Sequence, residues 1–173
     1  MTPSDLTTMT CPAARALGCV GEWWSLLILR DVIQGLRRFD ELQQSLRIAS
    51  NMLSRRLRRL IDEGLLEKRP YQSRPVRHEY CPTRKGLDLY PVLVMLFAWG
   101  EKYMSDEGRA LRLVDRRSAR ELSPLVVDRH TLEPVTAENS TVAPGPHAGA
   151  AVFERLARLR ALEPRAEGGA GQS

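Results

Sequence analysis

Apolar side chains return every three or four positions over most of the first hundred residues, in separated blocks. Residues 12–20 form the first block, with Thr10 as N-cap, Pro12 near the first helical position and Gly21 as breaker. Residues 22–34 form the second, with Trp24, Leu27, Ile28 and Val32 in phase and Gly35 closing it. A short extended piece, Arg37-Arg38-Phe39, leads into a third helix over 40–46, with Leu42 and Leu46 facing inward. The tight connection Arg47-Ile48-Ala49 precedes a fourth helix over 50–63, capped by Ser50 and stopped by Gly64. Two strand-like runs, 65–71 and 76–81, flank Gln72-Ser73-Arg74-Pro75 and predict a hairpin with a basic tip. Thr83 then caps a long helix through Leu87, Leu89, Val92, Leu96 and Trp99 to about Met104.

Helix, helix, short strand, helix, turn, helix, strand, wing, strand, long helix is the order of a winged helix-turn-helix domain. The expected class is mostly α (α+β). Its divisions are a flexible 1–9, a DNA-binding and dimerisation domain over 10–106, and a small β or irregular module over 107–146. An amphipathic helix over 147–163 and a disordered tail over 164–173 follow. Within the module, 109–114 and 122–127 read as short strands, and no internal repeat is read.

Composition narrows the partners. Of 173 residues, 43% are hydrophobic and 27% charged, the balance of a globular protein. Apolar runs such as 26–29 and 91–99 fall far short of the roughly 20 residues a membrane span needs. The polar first ten residues lack the pattern of a signal peptide, so a cytoplasmic protein is expected. The formal net charge is +5, and its placement matters more than its sum. From Arg37 to Lys85 there are 13 Lys+Arg and 6 Asp+Glu; the rest of the chain has 13 basic and 15 acidic residues. A positive field confined to one central segment points to a polyanion.

The fourth helix concentrates that field. At about 100° per residue, Leu53, Leu57, Leu60 and Ile61 share an apolar stripe. Asn51, Arg55, Arg58 and Arg59 fall opposite, with Ser54 and Arg56 at the flanks and no acid before Asp62. An ordinary surface helix would alternate signs to form i,i+4 pairs. In helix-turn-helix proteins the second helix of the motif enters the major groove with its N-terminal residues at base edges. Asn51 suits adenine, Arg55 suits guanine, and Ser54 suits a base or a phosphate. Ser50 belongs to the same N-terminal turn. Arg58 and Arg59 are expected at backbone phosphates, as are Arg37 and Arg38 ahead of the third helix. Arg74 at the hairpin tip and Arg77 beside it suit a minor groove or flanking phosphates.

Several motifs stand together: Cys11-Pro12, the run from Gly21-Glu22-Trp23-Trp24 to Arg30-Asp31, and Gly35-Leu36-Arg37-Arg38-Phe39-Asp40-Glu41-Leu42. They continue in Leu53-Ser54-Arg55-Arg56-Leu57-Arg58-Arg59-Leu60, Glu63-Gly64-Leu65-Leu66, Pro75-Val76-Arg77-His78-Glu79-Tyr80, Thr83-Arg84-Lys85-Gly86 and Trp99-Gly100. In combination, over about residues 10–104, they resemble the HxlR-type winged helix-turn-helix transcriptional regulators. The resemblance implies a homodimeric bacterial regulator, a repressor or an activator, on a pseudo-palindromic operator. It also implies a dimer contact from the first and the long helices, with Leu17, Trp23, Leu89, Leu93, Leu96 and Phe97 as expected contacts. The apolar excess of the long helix independently calls for a covering surface. Two departures are Trp23, where a basic residue is usual, and Pro82 in place of Leu.

The region after residue 106 resembles a ribbon-like module found in some such regulators. Asp115, Ser118, Asp128 and Thr131 stand where Cys and His ligands would be expected, so no metal and no cofactor are predicted. The three cysteines, Cys11, Cys19 and Cys81, have no metal-site spacing. In some members of the family a Cys at the position of Cys11 senses oxidants. A redox or small-molecule effector acting through Cys11, or through a pocket at the dimer seam, is the alternative reading; Trp23, Trp24, Phe97 and Trp99 read first as core or dimer interface and second as the lining of a ligand pocket between the helices. Cys19 is expected in the core and Cys81 inert. His78, His130 and His147 are scattered without a nucleophile or orienting acid, so no enzyme is predicted.

Overall fold

The computed structural model describes residues 6–105 and 108–162. The expected disordered tail over 164–173 lies outside the described residues, as do positions 1–5 of the N-terminal segment. Two compact units are formed, one ending at Leu125 and the other beginning at Val126.

In the first unit, α1 spans Pro12–Val20, α2 Trp23–Gln34, α3 Phe39–Leu46 and α4 Ser50–Asp62. The hairpin β1 (Leu66–Ser73) and β2 (Val76–Pro82) follows, then α5 (Arg84–Leu87) and α6 (Tyr90–Tyr103). Cys11, not Thr10, is the N-cap of α1. Pro12 opens the helix, and the residue before a proline is pushed to the extended region that an N-cap occupies. Gly21 follows α1 under a steric constraint: a Cβ there would lie 2.1 Å from the Leu17 carbonyl oxygen. Gly35 ends α2 at φ 118° and donates its N–H to the carbonyls of Asp31 and Val32.

α3 and α4 form the helix-turn-helix. Glu41 accepts the backbone N–H of Arg37 and of Arg38, both at 2.9 Å, and so satisfies two donors ahead of α3. Buried Ile48 plugs the connection. Ala49 is the N-cap of α4, in place of Ser50, which becomes the first helical residue. The Ser50 hydroxyl is engaged elsewhere, accepting from Gln43 Nε2 of α3 at 2.7 Å. Leu53, Leu57 and Leu60 of α4 join Ile28, Leu29, Val32, Leu42, Leu46, Leu65 and Leu66 in one core.

The hairpin is antiparallel and longer than the sequence pattern predicts. Pairing continues through Gln72 with Arg77 and Ser73 with Val76, which reduces the tip to Arg74-Pro75. A bulge between Pro70 and Gln72 leaves Tyr71 unpaired, and its ring lies 4.7 Å from the Arg38 guanidinium carbon. The N–H of Tyr80 donates to the Arg37 carbonyl at 2.8 Å, tying the wing to the start of the helix-turn-helix.

The long helix expected from Thr83 to Met104 is divided at Asp88-Leu89. Pro91 is the cause: it has no N–H for the preceding turn and its ring clashes with a carbonyl four residues back. Thr83 still caps, accepting the Gly86 N–H at 3.1 Å, while its hydroxyl donates to the Gly64 carbonyl at 2.6 Å. A Cβ on Gly86 would meet the Leu65 carbonyl oxygen at 2.2 Å, so only glycine lets α5 seat on the segment that leads into β1.

The strands expected at 109–114 and 122–127 do not form; two isolated bridges replace them, Val114 with Glu121 and Val127 with Pro134. Each closes the same turn, and the two turns repeat at a spacing of thirteen residues. This internal repeat was missed in the sequence. Asp115 accepts from the Arg117 and Ser118 N–H groups, and Asp128 accepts from those of His130 and Thr131. Ala119 and Leu132 then take positive φ, 55° and 60°. Those backbone hydrogen bonds hold both carboxyls below the usual carboxylate range. Val114-Asp115-Arg116 recurs as Val127-Asp128-Arg129, and the turns diverge after it, with Ser118 against Thr131 and Ala119 against Leu132. In the second unit, α7 spans Ala150–Leu162, with Leu156 buried and Phe153 exposed.

One buried charge ties α2 to α3. Asp31 is 2% exposed and accepts from Arg30 Nε at 2.8 Å and from Ser45 Oγ of α3 at 2.7 Å. A buried carboxylate is tolerated only with such partners. Asp31→Ala removes both bonds from a closed site and should lower stability by about 2–4 kcal/mol, measured by urea denaturation. A loss of under half a kcal/mol would show that the contact is incidental.

Candidate nucleic-acid interface

The leucine stripe of α4 fixes what its other faces do. With Leu53, Leu57 and Leu60 inside, Asn51, Ser54, Arg55 and Arg58 are exposed. Among the described residues no acid pairs with Arg55 or Arg58. Arg55 Nη2 lies 3.2 Å from Met52 Sδ, and the side chains of Ser54 and Arg58 carry no hydrogen bond or ion pair among the described residues. Asn51 Oδ1 accepts the Met52 N–H at 2.7 Å, in the first turn of the helix. The exposed N-terminal half of α4 therefore presents amide, hydroxyl and guanidinium groups together, at the positive end of the helix dipole.

The wing adds Arg74 and Arg77, both exposed and with side chains unpaired among the described residues. Ahead of α3, Arg38 is exposed and stacked on Tyr71. Arg37 is exposed as well, and its guanidinium lies 3.8 Å from Cys81 Sγ.

Two arginines of α4 depart from the face predicted for DNA. Arg59, expected at a phosphate, turns inward: Nη2 donates to the Gly18 carbonyl at 2.8 Å and to Glu63 at 3.2 Å. Arg56, expected at the flank, is 8% exposed and forms an ion pair with Glu22. At 100° per residue Arg56 falls about 40° beyond Leu60, at the edge of the apolar stripe, whereas Arg59 falls on the face opposite it, so local spacing carries no signal for its partners. The Thr83–Lys85 latch was also missed: Lys85 Nζ donates to the Glu63 carbonyl at 2.6 Å and holds the end of α4.

The expected dimer contacts separate into two groups. Leu89 and Leu93 are partly buried against their own core, whereas Leu17, Trp23 and Leu96 are 54%, 76% and 51% exposed. Phe97 lines an apolar groove of about 310 Å³ between α2 and α6, with Leu26, Leu27, Leu93, Leu111 and Leu113. Trp23, Trp24 and Trp99 do not line it: Trp23 and Trp99 are exposed, and Trp24 packs against the core.

The cysteines also differ. None is in a disulfide, and Cys11 is exposed at the N-cap of α1. Burial pushes the Cys19 thiol up, with Glu63 adding to it. Burial followed by Glu79 does the same at Cys81. Raised thiol pKa values keep both protonated and poorly nucleophilic. Among the described residues no helix is long and apolar enough to cross a membrane, and no cluster of His, Cys, Asp or Glu could hold a metal.

A helix-turn-helix joined to a two-stranded wing, with an exposed cationic second helix, defines a winged helix-turn-helix transcriptional regulator. Its family can be stated. The chain belongs to the HxlR-like helix-turn-helix family, whose model matches residues 19–108. An uncharacterised HTH-type transcriptional regulator of Mycobacterium tuberculosis is 43% identical over 133 residues, covering 76% of this chain and 84% of that protein. The crystal structure of PA1607, a candidate transcription factor, superposes with a TM-score of 0.75 at 38% identity, covering 80% of this chain and 98% of that one. The redox regulator HypR in its reduced form gives a TM-score of 0.52 at 28% identity, over 54% of this chain and 94% of that one.

Proposed function

We propose that the protein is a homodimeric, sequence-specific DNA-binding regulator of cytoplasmic location and not an enzyme. In this reading α4 lies in the major groove, and a pseudo-palindromic operator is its target. The observation that carries this is the outer face of α4, where Asn51, Ser54, Arg55 and Arg58 are exposed together and no acid among the described residues pairs with either arginine. Asn51 and Arg55 meet base edges, with Ser50 and Ser54 beside them. Arg58, Arg37 and Arg38 meet phosphates, and Arg74 and Arg77 extend the footprint through the wing. No cofactor is needed for this activity. Arg55→Ala should weaken operator binding by about 1–3 kcal/mol and relax preference at one base position. Arg58→Ala should weaken all sequences alike and reduce the slope of log affinity against log salt by about 0.9. Titrations of operator and random duplexes at several salt concentrations decide it; unchanged sequence preference in Arg55→Ala would sink the docking.

The dimer reading rests on α6. None of its residues is fully buried, and Val92, Leu96, Trp99 and Tyr103 are each about half exposed. A two-fold partner would cover that surface and set recognition helices about 34 Å apart, so half-sites are expected about 10 base pairs apart or at a multiple of that. Leu96→Arg, at an exposed position, should give a folded monomer by light scattering without operator binding. A dimer that persists in Leu96→Arg would place the contact elsewhere.

A second reading adds a redox signal at Cys11. It is favoured by the exposure of this thiol at a helix N-terminus, where the dipole stabilises a thiolate, and by the likeness to HypR. A thiol oxidant should then shift operator affinity in the wild type and leave Cys11→Ser unaffected; equal responses in both would end this reading.

A further inference from the structure

The two inward arginines of α4 point to a role distinct from DNA contact. Arg59 and Arg56 are one turn apart and both reach the joint between α1 and α2. Arg59 donates to the carbonyl of Gly18, in the last turn of α1. Such carbonyls have no partner within their own helix and sit at the negative end of its dipole. Arg56 pairs with Glu22, the N-cap residue of α2, through a side chain that is only 10% exposed. Its Nε is buried with no hydrogen-bond partner, so the Glu22 carboxylate is the contact that makes this buried charge tolerable. A guanidinium so enclosed does not reach a phosphate. The leucine stripe beneath α4 is non-directional and leaves small rotations of the helix cheap. Directional bonds to a second element resist such rotations. Rotating α4 would carry Arg55 and Arg58 away from their partners.

We propose that Arg56 and Arg59 are positioning residues that bolt the recognition helix to the α1–α2 joint, with Glu22 as the fixed partner. The clamp sets where Arg55 and Arg58 point, and so determines selectivity for operator over other DNA. This rests on the DNA-reading role proposed for α4.

Glu22→Gln separates the possibilities by sign. The variant gains one positive charge, so if Arg56 were a DNA contact its release would tighten binding to every duplex. The clamp predicts the reverse for operator DNA: affinity falls by about tenfold, roughly 1.4 kcal/mol. Binding to a random duplex is not weakened, in protein shown by circular dichroism to be folded at the assay temperature. Adding Arg56→Gln should cost little more, because the two residues act as one unit. Arg59→Gln should also lower operator affinity while leaving the salt slope unchanged, and it carries the test if Glu22→Gln does not fold. Unchanged or tighter operator binding by Glu22→Gln overturns the clamp, as does a slope reduced by about 0.9 in Arg59→Gln. Arg55→Ala and Arg58→Ala run beside these variants. If both leave operator binding and salt slope unaltered, the role of α4 fails first and takes the clamp with it.

Discussion

The architecture depends on three leucines of one helix. Leu53, Leu57 and Leu60 are all but fully buried, and at about 2 kcal/mol each their burial decides which side of α4 faces the core. Every other property of that helix follows. The residues opposite the stripe must face water, the residues at its edge must find partners within the protein, and only the first group is open to a ligand. Gly86 and Thr83 belong to the same constraint, because they seat α5 on the segment that leaves α4 through Gly64 and Leu65.

Much of this was legible in the sequence because it rests on periodicity. The helix-turn-helix, the wing and the exposed position of Asn51, Ser54, Arg55 and Arg58 all follow from the spacing of apolar residues and glycines. What was not legible depends on partners distant in the chain. Arg56 and Arg59 have the composition of DNA contacts, yet Glu22 and the Gly18 carbonyl claim them. Ser50 has the composition of a cap, yet Gln43 occupies its hydroxyl. Leu89 and Leu93 have the composition of an interface, yet the domain's own core holds them. In each case residue type was read correctly and the competing partner could not be seen from local spacing. Pro91 is different: its effect on the long helix is local and was available from the sequence.

The region beyond α6 is built from two turns of one design. Arg109 bridges Glu101 of α6 at 3.2 Å and Glu121 at 2.5 Å, anchoring the first turn of the repeat to the DNA-binding unit. The two turns are closed by Asp-to-amide hydrogen bonds at Asp115 and Asp128. At such positions the carboxylate accepts the amide N–H groups of the turn directly, as in an Asx turn.

The central claim is that two copies of α4 read a two-fold symmetric DNA site. Selection of bound duplexes from a random pool by the full-length protein, followed by sequencing, tests it most directly. The account predicts an enriched inverted repeat with half-site centres about 10 base pairs apart, or a multiple of that. Enrichment of a single asymmetric half-site, or no enrichment at all, would contradict it.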